Sequence, residues 1–227
     1  MIVYLDTETT GLESQDVICS VGVIIDNGND IQELYGLFNE GKLIPPQASS
    51  IHHITNEMIQ NKPELRDSEI WNSLEKINTK NTILVGHNIG FDLNKLQSLG
   101  FDYQGKIIDT LRISKHLLKD SDSYSLQFLR YDLKLYREED DSSVAHHALS
   151  DAKLTRLLLS YFLSMVSLEE MLELSSQNVL LEKFSFGKYK GKYIEEIAMY
   201  DRGYLEWSLN NVVDLDDDLR YSINYYL

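Results

Sequence analysis

Cysteine is all but missing from this 227-residue chain. Its one thiol, Cys19, excludes an internal disulfide and any cysteine-rich zinc site. Cys19 lies in an apolar run, Asp16 to Ile25, that reads as a strand, so a buried and chemically quiet thiol is expected. Long apolar runs are absent too. No stretch of about 18 such residues exists, and no transmembrane helix is expected. The first residues lack a basic segment followed by an apolar one, so no signal peptide is expected either. These absences point to a cytoplasmic protein. Positive charge is also scarce: 21 Lys and Arg against 36 Asp and Glu give a net charge of −15. Taken alone, that balance argues against a nucleic-acid partner, because phosphate backbones attract basic surfaces. Carboxylates that hold cations would alter the sum, however, and the lysines cluster late in the chain.

What is present reads as an α/β protein. Apolar residues make up 43% and charged residues 25%, ordinary for a globular chain of one good-sized domain plus a small appendage. Residues 2–5, 17–25 and 31–38 read as strands, with Asp26-Asn27-Gly28-Asn29 as a hairpin turn between the last two. Residues 40–50, with Pro45-Pro46, read as a loop. A helix is expected over 66–78, a short buried strand over 83–85 and a helix over 91–99. Ile107-Ile108 precedes a helix near 110–119, and another helix is expected over 125–132. An acidic loop follows at 137–141. Ala148 to Met165 reads as a strongly apolar helix, and Ser167-Leu-Glu-Glu170 as a capping box that opens one more. A meander followed by alternating strands and helices implies a mixed sheet flanked by helices. Residues 175–178 read as a linker. Beyond it the texture becomes aromatic and glycine-punctuated, so the expected division is a main domain at 1–175 and a small module at 180–227.

Three acidic motifs carry the chemistry. Asp6-Thr-Glu8-Thr9-Thr10-Gly11 follows the first strand. Residues two apart on a strand face one side, so Asp6 and Glu8 present two carboxylates to one point. Such a pair is costly to bury unless a cation joins it, and a hard divalent ion with oxygen ligands suits it best. Gly86-His87-Asn88-Ile89-Gly90-Phe91-Asp92 follows the buried strand and puts Asp92 in the first turn of a helix. His146-His147-Ala148-Leu149-Ser150-Asp151 opens the long apolar helix, with Asp151 near its start, where the helix dipole favours an anion. Five helical residues would turn His146 well away from Asp151. His146 is therefore expected in the loop before the helix.

The ordered set Asp6-x-Glu8, Asp92 and His146-x4-Asp151 resembles the DEDDh class of 3′→5′ exonucleases, the superfamily of polymerase proofreading domains. Ala48-Ser-Ser-Ile51-His52-His53-Ile54-Thr55 also resembles a stretch common in that class. The block Phe184-Ser-Phe186-Gly187-Lys188-Tyr189-Lys190-Gly191-Lys192, with Asp201-Arg-Gly-Tyr204-Leu205-Glu206-Trp207, resembles the C-terminal module of exodeoxyribonuclease X-type enzymes. The resemblance implies an RNase H-like sheet and a DNA exonuclease, with a repair role, that releases nucleoside 5′-monophosphates from 3′ ends.

The resemblance also implies site roles. Asp6, Glu8, Asp92 and Asp151 carry four negative charges, which two divalent cations would balance. Mg²⁺ suits oxygen ligands shared with phosphate, and Mn²⁺ should substitute. A histidine titrates near neutrality, so His146 is the natural general base. His147 is a rival that the His-x4-Asp spacing sets aside. Thr9, Gly11 and Leu12 fall where the family places the 3′-terminal nucleotide, and Asn88 is a candidate for orienting the scissile phosphate or a ligand. Four lysines and no acid lie between 183 and 192, which makes Lys188, Lys190 and Lys192 candidates for phosphate contact. Their aromatic neighbours, with Tyr204 and Trp207, are read as core. His52, His53 and His87 are read as structural or surface residues. An exoribonuclease or oligoribonuclease would use the same four carboxylates. A non-catalytic nucleic-acid-binding accessory subunit is the other alternative; such modules typically lose one of the four, and all four are present here.

Overall fold

A computed structural model describes residues 1–138 and 145–227. Most of the acidic stretch at 138–141 lies outside the described residues. Among the described residues, five strands make one sheet in the order β3-β2-β1-β4-β5. β1 (Ile2–Thr9), β2 (Ile18–Asp26) and β3 (Ile31–Leu37) form the antiparallel meander, while β4 (Ile83–Gly86) and β5 (Lys106–Asp109) run parallel on the other side of β1. The helices are α1 (Pro46–His52), α2 (Asn56–Ile59), α3 (Glu69–Ile77), α4 (Ile89–Ser98), α5 (Thr110–Leu117), α6 (Leu126–Asp132), α7 (Ala148–Leu163), α8 (Leu168–Ser176), α9 (Ile194–Tyr200), α10 (Arg202–Asn211) and α11 (Asp217–Tyr226). None of the described helices is long and apolar enough to cross a membrane.

The mixed sheet flanked by helices is the architecture the strand and helix pattern implied. β2 is mostly apolar and buried along almost its whole length, which a strand needs when both its faces are covered. On one face Val3, Leu5, Val21 and Val23 pack with Trp71 and Leu74 of α3 and Ile89 and Leu96 of α4. On the other, α7 lies along β1 and β2. Its buried positions Ala148, Ala152, Thr155, Leu158, Leu159 and Phe162 recur at three- and four-residue intervals, the spacing of one helix face.

Three local expectations change. The segment read as a loop over 40–50 starts α1, because Pro46 occupies the first helical position, where its missing N–H is no loss. The helix expected over 66–78 starts later, at Glu69. Ser68 Oγ accepts the Trp71 N–H at 3.1 Å and caps it, after a short 3₁₀ turn at Leu65–Asp67. Ser175, read as linker, is the penultimate residue of α8, where its hydroxyl donates to the Met171 carbonyl and accepts the Asp109 N–H.

The described residues divide into two compact units, Met1–Ser114 with Asp120–Ser175, and Lys115–Lys119 with Ser176–Leu227. The second has its own apolar core of Phe184, Ile194, Ile197, Leu205, Leu215, Leu219 and Ile223. Trp207, read as core, is instead 52% exposed. Its ring lies beside Tyr204 with centroids 6.0 Å apart.

Candidate active site

The site is built at the C-terminal end of β1. Asp6 and Glu8 pair across the ladder with Gly22 and Ser20 of β2, so both carboxylates stand on the face covered by α7. A bulge follows Glu8 and breaks the register before Thr9 pairs with Ile18. Bulges of this kind re-aim side chains at sheet ends. Asp151, in the first turn of α7, arrives from above, and one oxygen each from Asp6, Glu8 and Asp151 lie within 4.8 Å of one another. Asp92 reaches the same end of the sheet from the first turn of α4, where Thr7 Oγ1 donates to its Oδ1 at 2.6 Å.

Electrostatics show what this cluster requires. Burial first, then the charges of Asp92, Asp151 and Glu8, raise the Asp6 carboxyl well above its ordinary range. Burial, then Asp151 and Asp92, push Glu8 up to about 8. Burial raises Asp92 to about 7 against the Thr7 hydrogen bond, which favours its charged form. Mutually repelling carboxylates in poor solvation will hold either protons or cations. The donor set is all oxygen, which fits a hard divalent ion.

The histidines separate by environment. His146 sits exposed in the turn ahead of α7, with a left-handed backbone at φ 56°. His147 is half-buried and stacks on Tyr35 with centroids 4.2 Å apart, and its Nδ1 has no hydrogen-bond partner among the described residues. His52 is buried and structural. Its Nδ1 accepts the Ile54 N–H at 3.0 Å, and its Nε2 lies 3.9 Å from Cys19 Sγ. The Cys19 thiol is buried as expected and is pushed up to about 12 by burial and by Glu8. His87 is also structural, held by the Thr110 hydroxyl and the Tyr124 carbonyl.

The remaining candidates have definite places. Thr9 is buried and donates its hydroxyl to the Gly11 carbonyl at 2.7 Å, so lone pairs are what it can still offer a ligand. Leu12 is 83% exposed. A Cβ on Gly11 would lie 2.4 Å from Asp16 Oδ2, so the glycine is needed for close approach of that carboxylate. Asn88 caps α4 in a left-handed conformation, φ 66°, which asparagine tolerates better than most residues. Its N–H donates to Asp109 Oδ1 and its side chain is exposed. Lys188 lies in the second unit and is already engaged, pairing with Asp201 at 2.9 Å and sitting over the rings of Tyr189 and Tyr204. Lys190 and Lys192 of the same unit are exposed.

Several residues that shape the site went unread in the sequence. Gln127 of α6 donates from Nε2 to Asp151 Oδ1 at 2.7 Å. Gly22 admits the backbone of α7: a Cβ there would lie 2.3 Å from Ala148 C and Leu149 N. Asp16 and Lys95 organise the loop after β1. Gly22 interrupts an otherwise apolar strand, a signal of close backbone approach. Gln127 and Lys95 leave no such mark.

Comparison with known proteins bears on this geometry. The family model described as Exonuclease (RNase_T) matches residues 3–159, and one described as Exodeoxyribonuclease X-like C-terminal matches residues 184–213. The chain therefore belongs to the RNase T exonuclease family, as a DEDDh-type member. It is 30% identical to Exodeoxyribonuclease 10 of Escherichia coli K12, with 100% of this chain and 99% of that protein aligned. It is 35% identical to the PolC-type DNA polymerase III of Thermotoga petrophila over 72% of this chain and 12% of the polymerase. Among solved structures, Exonuclease X in complex with 5′ overhanging duplex DNA matches with a TM-score of 0.62 and 26% identity, covering 78% of this chain and 100% of that one. The sheet and its flanking helices are thus RNase H-like.

Proposed function

We propose that this chain is a metal-dependent 3′→5′ exodeoxyribonuclease that removes nucleoside 5′-monophosphates from DNA 3′ ends, in a repair setting and in the cytoplasm. The observation that carries the reading is the convergence of Asp6, Glu8 and Asp151 oxygens within 4.8 Å, with Asp92 held beside them by Thr7. Similarity along the whole chain to an exodeoxyribonuclease supports DNA as the substrate.

Asp6, Glu8, Asp92 and Asp151 would hold two divalent cations, Mg²⁺ with Mn²⁺ as a substitute. Ions held there would supply polarisation of the phosphate and acidification of a water. The chain's own residues do the rest. Thr7 fixes Asp92 by taking one of its oxygens, and Gln127 does the same for Asp151. His146 is free to face solvent, where it takes the proton from the attacking water at a ring nitrogen. His147, held against Tyr35, is poorly placed for that task. Leu12 meets the terminal base from its exposed loop, and the backbone around Thr9 and Gly11 meets the terminal sugar. Asn88 meets the phosphate side. Lys190 and Lys192, with Lys188 in a lesser part, contact phosphates from the C-terminal module.

The test incubates the protein and Mg²⁺ with 3′-labelled DNA and with RNA of the same sequence. Mononucleotide release from DNA, lost in Asp6→Ala, is expected. Release unchanged in Asp6→Ala would refute the site, and faster release from RNA would make the chain an exoribonuclease.

A further inference from the structure

The loop from Thr10 to Val17 is clamped from three sides. At its base Thr10 N–H donates to the Val17 carbonyl at 2.9 Å, and Val17 N–H donates to Thr10 Oγ1 at 3.1 Å. On its exposed side the Asp16 carboxylate collects the Glu13 N–H at 2.9 Å, the Thr10 hydroxyl at 3.2 Å and the Lys42 ammonium at 2.6 Å. From beneath comes Lys95 of α4, only 5% exposed. Its ammonium donates to the main-chain carbonyls of Glu13 and Asp16, the second at 2.9 Å, and lies 5.3 Å from the centre of the Phe91 ring. A buried ammonium is costly unless its donors are satisfied. Here two are satisfied by backbone carbonyls, which an apolar residue at 95 would leave without that donor. The result is an ordered loop with Leu12 standing out at 83% exposure.

Lys95 lies one turn after Asp92 on the same helix. One rigid element therefore fixes both an acidic group of the site and the loop that displays Leu12. We propose that Lys95 is a positioning residue that sets Leu12 relative to Asp92 and so determines how the substrate's 3′ end is seated. The proposal rests on the reading that residues 9–12 receive that end. A loop ordered in advance binds without having to be ordered by substrate. Losing the clamp therefore raises KM, while the acidic cluster, which Lys95 does not touch, keeps its cations.

The experiment compares wild type, Lys95→Met and Leu12→Ala by steady-state release from a 3′-labelled DNA oligonucleotide, by Mn²⁺ calorimetry and by circular dichroism. Ordering one or two residues corresponds to about tenfold in affinity. Lys95→Met is expected to raise KM by about tenfold, with kcat and Mn²⁺ affinity close to wild type. An unchanged KM overturns the proposal, and so does a joint fall of kcat and Mn²⁺ affinity, which marks a purely structural role. If Lys95→Met does not fold, Lys42→Met, which loosens the same loop from its exposed side, takes its place, with the same rise expected and the same results counting against it. Leu12→Ala separates the two levels of the argument. If it leaves KM unchanged, the reading of residues 9–12 fails; if it raises KM while the loop variants do not, the positioning role fails alone.

Discussion

Replacing Gly22 with alanine adds one methyl group at the point where α7 touches the sheet. Gly22 is the cross-strand partner of Asp6. An ideal Cβ there would lie 2.3 Å from Ala148 C, 2.3 Å from Leu149 N and 2.5 Å from Ala148 O. All three are backbone atoms, so no side chain can rotate out of the way. Ordinary contact begins near 3.4 Å, and the first turn of α7 must therefore retreat by about 1 Å. Asp151 lies in that turn and moves with it. Metal–oxygen distances tolerate only about 0.2 Å, so the carboxylate leaves its partners before the helix unfolds. Misplacement of about 1 Å in a catalytic constellation costs about 10²-fold in rate. Overpacking of the sheet–helix contact costs about 1–3 kcal/mol of stability. The assay is single-turnover release of a labelled 3′ nucleotide in Mg²⁺, alongside thermal melting. Gly203→Ala is the control, because a Cβ there meets nothing within 4 Å and the site lies inside α10. It should leave stability unchanged or higher by about 0.5–1 kcal/mol. A Gly22→Ala protein that melts and cleaves like wild type would refute the reasoning.

Three further predictions follow from the geometry. Gln127→Leu removes the amide that holds Asp151 Oδ1, and Mn²⁺ affinity or release rate should fall by about 10- to 100-fold; calorimetry and rates equal to wild type would deny Gln127 this role. Burial and neighbouring acids raise Glu8 to about 8 and Asp92 to about 7, so the folded metal-free protein binds more protons than the unfolded chain between the ordinary carboxylate range and about pH 8. Its stability therefore declines as pH rises through that window, and cations that replace the protons should raise Tm more at about pH 8 than at about pH 6; a Mn²⁺-induced Tm shift independent of pH would contradict this. Lys190→Met with Lys192→Met should reduce the slope of log affinity against log salt for DNA by about 2, whereas Lys188→Met, whose ammonium is tied to Asp201, should change it less; equal effects of all three lysines would show that the Asp201 pair does not hold in solution.

Much of the site could be read along the chain, and the reason is local. Asp6 and Glu8 share a face because a strand has a two-residue period, and Asp92 and Asp151 fall in first turns because α4 and α7 follow recognisable loops. The meander, the buried β4 and the long apolar α7 were equally visible as runs of one period. Errors came where a single residue overrode the pattern around it. Pro46 began a helix in a stretch that looked like loop, Ser68 split a helix by capping its second part, and Ser175 lies within α8, where its hydroxyl also accepts the N–H of Asp109. Trp207 looked like core because it is apolar, but burial is decided by what packs on a helix face and not by the residue.

The sequence by itself therefore determined the chemistry: which groups are acidic, their order, and which family they match. Tertiary structure alone decided how those groups meet. Gly22 signals a close approach in the strand but not that α7 makes it, and Gln127 is one polar residue among many until α6 brings it to Asp151. Lys95 shows the same principle most plainly. A lysine in an amphipathic helix reads as solvated, and only the fold turns its ammonium inward to two carbonyls of the loop after β1. Pattern along a chain records periodicity, which is set by backbone geometry. Contacts between residues 82, 79 or 24 positions apart leave no periodic trace, so only the packed chain can reveal them.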